Sequence, residues 1–244
     1  MARYQAILAY DGSGFQGSQR QANCRTVQGE FEKALMRLKW NGRSVLLSGR
    51  TDAGVHASGQ VAAFDLDWAH PVEALHNALN ANLPLDLAVR SLTLAPEDFH
   101  PRFNATSRKY CYRLFCDNVR DPLRERFLWR VHLPVDGEAL VRNANVFLGT
   151  HDFAAFGSPT SPHGTTVRTV TESEWRHKPD GEWQYEVRAD AFLYRMVRRL
   201  VFAQVSAAQG KSSLEDIERA LSKQEKLPAG LAPAHGLTLV EVTY

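Results

Sequence analysis

Cysteine is scarce in this chain. Only Cys24, Cys111 and Cys116 occur in 244 residues. An odd, low count weighs against a disulfide framework and points to a reducing compartment, read here as the cytoplasm. Cys111 and Cys116 have no second pair at ligand spacing, so no metal site is expected. No apolar run is long enough to span a bilayer, so no membrane partner is expected. The first residues, Met1-Ala2-Arg3-Tyr4-Gln5, enter a strand without a targeting segment. An excess of one charge is lacking too: the formal net charge of +2 is too small to announce a nucleic-acid binder. A hydrophobic content of 44% supplies a core and argues against disorder. The length suits one large domain or two small ones.

Charge distribution says more than the sum. No residue in 99–116 is acidic, while Arg102, Arg108, Lys109 and Arg113 are basic. The stretch 191–214 is also free of acids and holds Arg195, Arg198, Arg199 and Lys211. A third cluster, Arg120, Arg124, Arg126 and Arg130, is diluted by Asp121 and Glu125. One such run is ordinarily a solvated face. Three favour a polyanionic partner.

The apolar pattern orders the first half as β-α-β-β-α-β. Strands are expected at 4–10, 45–49, 58–65 and 86–94. A helix opens at Thr26 as N-cap and runs to about Lys39, and a second spans 71–81 from Pro71. The second half repeats the order more loosely. It has strands at 107–116, 167–176, 182–188 and 238–244, with Pro179-Asp180-Gly181 as a turn. Helices are expected at 136–147, from about Ala191 under an Asp190 cap to Ala208, and at 214–221; 149–166 reads as a loop. The expectation is an α+β fold: two tandem ferredoxin-like, RNA-recognition-like split β-α-β units in a pseudo-two-fold pair with a central cleft. The division falls at 1–104 and 105–244.

Between two strand-like runs sits Ser48-Gly49-Arg50-Thr51-Asp52-Ala53-Gly54-Val55-His56-Ala57. Arg, Asp and His interleaved with glycines are more than a turn requires, although Asp and Thr also serve turns by bonding their own backbone. Gly12-Ser13-Gly14-Phe15-Gln16-Gly17 matches a dinucleotide-binding pattern. It is discounted, because the helix opens only at Thr26 and no acid occurs between Glu32 and Asp52 to hold a ribose. A glycine loop with Gln16, Gln19, Arg20 and Gln21 suits a phosphate backbone equally well. On the helix drawn from Ala191, Arg195, Arg198, Arg199 and Phe202 share a face. Arg198 lies at its border, placed either for a solvated face or for a cleft.

The 49–57 loop resembles the signature of the tRNA pseudouridine synthase A family. Further resemblances follow in order: Tyr10-Asp11-Gly12-Ser13-Gly14-Phe15, Thr26-Val27-Gln28, Phe103 with Arg108-Lys109-Tyr110-Cys111-Tyr112-Arg113, Gly149-Thr150-His151-Asp152-Phe153, Phe192-Leu193-Tyr194-Arg195-Met196-Val197-Arg198, and Pro233-Ala234-His235-Gly236-Leu237. Ser18 stands where the family often has Trp, and Phe202 where Gly is common. The resemblance implies isomerisation of uridine to pseudouridine in the anticodon stem-loop of tRNA, typically at nucleotides 38, 39 and 40, by a homodimer.

The reaction is redox-neutral and loses no atoms, so no cofactor is expected. The resemblance carries the acting carboxylate onto Asp52, which would attack C1′, attack C6 or remove a C2′ proton. It carries the counter-ion onto Arg198, the base-stacking aromatic onto Tyr110, and uridine extraction onto Arg50. His56 has two readings: holding the loop through a backbone bond or contacting a phosphate. Arg108, Lys109, Arg195, Arg199 and Gln19 are the remaining expected RNA contacts. Two rivals are a non-catalytic tandem RNA-binding module and a hydrolase using Asp52 on a small polar substrate.

Overall fold

The computed structural model describes residues 1–160, 164–223, 225 and 229–244. It is a mixed α+β fold that divides into two compact units, Met1–Thr106 with Thr238–Tyr244, and Ser107–Leu237. Among the described residues no helix is long and apolar enough to cross a membrane.

In the first unit β1 (Ala2–Tyr10), α1 (Val27–Arg37), β2 (Leu46–Leu47), β3 (His56–Leu66), α2 (Val72–Asn82) and β4 (Leu87–Leu94) follow in order. β1 lies between β4 and β3, antiparallel to both. β2 adds to the other side of β3, at Leu46 opposite Ala63 and Leu47 opposite Ala62. Tyr4, Ala6, Leu8 and Tyr10 alternate into the core, as a half-buried strand requires. The Thr26 hydroxyl accepts the Gly29 N–H at 3.2 Å, starting α1 where an N-cap was expected. Val27, Phe31, Ala34 and Leu35 are then buried, and the Phe31 ring meets Phe64 edge-on at 5.6 Å. The helix stops at Arg37 because Lys39 turns left-handed, with φ 66°. Pro71 is the N-cap of α2 rather than its first residue.

The closing strand, Leu237–Thr243, was assigned by sequence to the second half. It runs parallel to β3, with Thr238 opposite His56 and Leu239 opposite Ala57. Gly59 permits the approach: a Cβ there would lie 2.0 Å from the Val240 carbonyl oxygen.

The second unit holds β5 (Ser107–Cys116), β6 (Trp129–Val131), α3 (Gly137–Asn145), β7 (Gly149–Asp152), β8 (Val167–His177), β9 (Glu182–Ala189), α4 (Met196–Ala208) and α5 (Leu214–Lys223). The antiparallel order is β5-β9-β8-β7, and β6 runs parallel to β5. A buried polar chain ties helices to sheet. Ser173 Oγ donates to the Ala144 carbonyl and meets Tyr185 Oη, each at 2.7 Å. Trp175 Nε1 donates to Gln204 Oε1 at 2.7 Å, and Asn143 Nδ2 to the Gln204 carbonyl at 3.2 Å.

Three expectations change here. The helix expected from Ala191 begins five residues later, at Met196. Asp190 takes the N–H groups of Ala191 and Thr169, tying a turn to β8 instead of capping the helix. Tyr194 then bridges to Ser158, and Arg195 is left-handed at φ 61°. Within 149–166, four residues form β7 against β8, and 161–163 lie outside the described residues. The short β6 was not foreseen.

Cys111 sits on β5 opposite Glu186. Burial first, then the Glu186 charge, pushes its thiol up to about 11. Cys24 is exposed. Because the thiolate is the nucleophile, iodoacetamide at pH 8 should alkylate Cys24 and spare Cys111. Peptide mass spectrometry reads this, and equal rates at the two cysteines would contradict the packing.

Candidate functional site

The 48–55 connection between β2 and β3 is not a free hairpin. It lies against the segment that follows β1, and two glycines set the distance. A Cβ on Gly12 would sit 2.1 Å from the Val55 carbonyl oxygen. A Cβ on Gly17, whose φ is +86°, would sit 2.9 Å from the Thr51 carbonyl oxygen. Two of the three glycines that mimic a dinucleotide motif, Gly12 and Gly17, therefore serve backbone-to-backbone contact.

Hydrogen bonds close the brace. Ser18 N–H donates to the Thr51 carbonyl at 3.1 Å, and Thr51 N–H donates back to Ser18 Oγ at 2.8 Å. Thr51 Oγ1 meets Tyr10 Oη at 2.9 Å. Gln60 Nε2 donates to the Gly49 carbonyl at 3.0 Å, while Ser48 Oγ donates to Gln60 Oε1 at 2.6 Å. Ser18, Ser48, Thr51, His56 and Gln60 are all buried. Burial raises the phenol of Tyr10 above its usual value, against the bonds to Thr51 and Gln60. Low dielectric makes a satisfied network of this kind stiff and an incomplete one costly.

The brace leaves Asp52 half-buried and Arg50 exposed, one on each side of the held Thr51. Val55 N–H returns to the Asp52 carbonyl at 3.1 Å, turning the chain after it at Gly54, φ +80°. His56 takes a backbone bond. Its Nδ1 lies 3.0 Å from the Gly12 N–H, which donates to it, and 3.2 Å from Asp11 Oδ1. Gln19 is exposed beside the buried Ser18. Arg25 pins the same segment through a bidentate pair with Asp86, both contacts 2.7 Å.

In the second unit, Arg108 and Tyr110 share one face of β5 and Lys109 the other. The Tyr110 ring meets Phe192 edge-on at 5.0 Å, and Arg108 Nη1 donates to the Asp190 carbonyl at 2.8 Å. These contacts bring Tyr110 to the segment leading into α4. Lys109 Nζ lies between Glu172 and Glu186 at 2.7 and 2.9 Å. Burial opposes its charge, but the two glutamates outweigh that and raise its pKa. Lys109 is thus a strand-to-strand brace. Arg198, on the first turn of α4, donates from Nε to the Ala232 carbonyl at 2.7 Å and accepts the Ala232 N–H at 3.2 Å. Arg199 is half-buried on the same turn. Arg195 precedes the helix, exposed, its guanidinium 4.8 Å from the Tyr194 ring centre. The expected face of Arg195, Arg198, Arg199 and Phe202 therefore starts at Arg198. Phe202 packs on Gly230, where a Cβ would come within 1.9 Å of the ring.

Sequence reasoning missed Tyr10, Ser18, Thr51 and Gln60 as a set, and Phe192 as the neighbour of Tyr110. One signal was available. Gln60 is a polar residue next to the apolar run Val61-Ala62-Ala63-Phe64, and such residues in cores are hydrogen-bonded. Among the described residues no group of three or more His, Cys, Asp or Glu is placed to hold a metal ion.

Ser18→Ala removes the acceptor of a buried N–H. It should lower stability by about 1–3 kcal/mol in urea unfolding. A loss within about 0.5 kcal/mol, the range of neutral surface changes, would show that the hydroxyl does not hold the loop.

A family model described as tRNA pseudouridine synthase matches residues 6–104 and 144–244. A tRNA pseudouridine synthase A of Chloroflexus aurantiacus is 40% identical over 245 residues, covering 98% of this chain and 87% of that protein. One of Limosilactobacillus fermentum is 39% identical over 249 residues, covering 100% and 96%. One of Listeria welshimeri is 37% identical over 247 residues, covering all of both chains. Among solved structures, a chain in the crystal structure of a Cbf5-Nop10-Gar1 complex has a TM-score of 0.36 at 12% identity, over 84% of this chain and 54% of that one, a likeness too slight to bear on the fold. With both halves of the braced loop inside the matched span, and relatives alike over nearly their full length, the chain belongs to the tRNA pseudouridine synthase family, isomerases that convert uridine to pseudouridine in tRNA.

Proposed function

We propose that this chain isomerises uridines of the tRNA anticodon stem-loop, typically nucleotides 38, 39 and 40, with Asp52 as the acting carboxylate. The observation that supports this reading is the brace: Asp52 follows a buried Thr51 held from both sides by Tyr10 and Ser18. Rigid support of this kind keeps a reacting group in place. The C1′–N1 bond breaks and a C1′–C5 bond forms. The C5 proton is lost and N1 regains one, so atoms and electrons balance without an oxidant or energy source.

Tyr110 is assigned to stacking on the target uracil, a contact worth about 1–3 kcal/mol per base. Arg50, exposed next to Asp52, is assigned to drawing the uridine from its stem, which costs a few kcal/mol. The role of Arg198 as counter-ion of Asp52 rests on the sequence motif. Arg108, Arg195, Arg199 and Gln19 are proposed RNA contacts. His56 and Lys109 are assigned instead to holding the protein, because their polar atoms are engaged with Gly12, Glu172 and Glu186. The order β1-α1-β2-β3-α2-β4 supports reading the chain as tandem split β-α-β units. Action as a homodimer in the cytoplasm belongs to the same proposal, on the strength of the family resemblance.

Asp52→Asn should abolish pseudouridine formation and leave tRNA affinity within a few-fold. Mapping pseudouridine in tRNA incubated with the purified protein alone tests it, and sustained turnover by the variant would overturn the assignment. Arg198→Leu should lower the rate of pseudouridine formation and leave tRNA affinity within a few-fold, with the melting temperature as a control because Arg198 also bonds Ala232. An unchanged rate would sink the counter-ion role.

A further inference from the structure

Phe103 is the most exposed phenylalanine, tyrosine or tryptophan among the described residues, with 75% of its surface bare. Single exposed apolar residues are ordinary, but this one is held rigidly. The turn that carries it is anchored to β1, where Arg3 Nη1 donates to the Phe99 carbonyl at 3.1 Å. It is anchored again at the chain's end, where Tyr244 Oη donates to the Pro101 carbonyl at 2.9 Å and the Tyr244 ring meets Phe99 at 5.0 Å. Inside the turn, Asn104 Oδ1 accepts the His100 N–H at 2.6 Å and Asn104 N–H returns to the His100 carbonyl at 3.0 Å. His100 Nδ1 accepts the N–H groups of Arg102 and Phe103 at 3.2 and 3.4 Å. The His100 ring then lies against Phe103, centres 4.3 Å apart, and the Arg102 guanidinium is 5.7 Å from the Phe103 ring centre.

We propose that Phe103, backed by His100 and flanked by Arg102, is a stacking platform for an unpaired base of the substrate RNA. The inference rests on the tRNA reading above. Every nucleobase has a π-face, so an aromatic ring beside a cation takes any base that is splayed out. The platform is already ordered, so little conformational freedom is lost on binding. The surroundings favour RNA over a second protein copy. Exposed Arg102 and Asn104 flank the ring, which interrupts any continuous apolar patch. Within the turn itself, 99–106, no residue is acidic. The acids earlier in the turn, Asp98 and Glu97, act on Arg3, helping Asp65 raise its pKa.

The test uses the full chain, an unmodified tRNA transcript, and Phe103→Ala, Phe103→Leu and Phe103→Trp. Wild-type binding and pseudouridine formation are measured first, and their absence would refute the tRNA reading itself before any variant is compared. Given those, Phe103→Ala should weaken tRNA binding roughly 5- to 150-fold. The slope of log Kd against log salt should stay the same, since no charge is lost. Phe103→Leu should bind as poorly as the alanine variant, because bulk without a π-face does not stack, and Phe103→Trp should recover most of the affinity. Melting temperature and sedimentation should be unchanged throughout. Wild-type affinity in Phe103→Ala or Phe103→Leu overturns the platform. So does a loss of affinity accompanied by a changed oligomeric state, which would assign the ring to a second copy of the chain.

Discussion

The arrangement around Asp52 depends on two backbone segments approaching more closely than side chains allow. Gly12 meets the carbonyl of Val55 and Gly17 that of Thr51, and a Cβ at either place would collide with backbone, which cannot swing aside. Once the segments touch, their amides and hydroxyls must find one another, because water is excluded. Ser18 and Thr51 exchange bonds, Tyr10 takes the Thr51 hydroxyl, and His56 takes the Gly12 N–H. Asp52, the carboxylate proposed to act, is therefore carried on a short, fixed piece of chain. Holding reacting groups in place removes a large part of the entropy cost of a reaction.

The second unit reaches the same end by a different route. Its helices are tied to the sheet through buried hydroxyl and amide groups, from Ser173 and Tyr185 to Trp175, Gln204 and Asn143. Its charges are largely spent on each other across the strands, with Lys109 between two glutamates and Arg113 bidentate on Glu182 at 2.6 Å. Part of the basic cluster in sequence is consequently neutralised in space. Arginines at the start of α4 are differently placed: the chain enters that helix through a left-handed Arg195, a conformation a non-glycine residue adopts at a cost. The late start turns Arg195 out of the helical face and leaves Arg198 on the first turn, tied to Ala232.

The two substitutions against the family habit also find physical places. Ser18, where Trp is frequent, is fully buried and bonds Thr51, a task for a small hydroxyl in a tight space. Phe202, where Gly is frequent, lays its ring on Gly230.

Much of the local structure was legible because it depends on near neighbours. Alternation marked β1 and β5, Thr26 announced the start of α1, and Pro179-Asp180-Gly181 announced the β8–β9 turn. The loop bearing Arg50, Asp52 and His56 was legible as a functional candidate because its residues exceed what a turn needs. Partners distant in sequence were not. The late start of α4 depends on Asp190 being taken by Thr169 of β8. β7 depends on its register against β8, the closing strand on a glycine in β3, and the purpose of Gly12 and Gly17 on a loop about forty residues away, all side-by-side contacts that leave no periodic trace. The order of residues alone settled most of the elements, though not β6, β7 or the start of α4, and the chemistry on offer. Which of those groups are held, neutralised or left bare was decided only when tertiary contacts chose each polar atom's partner, since a buried donor or acceptor takes whichever mate the fold brings within about 3 Å.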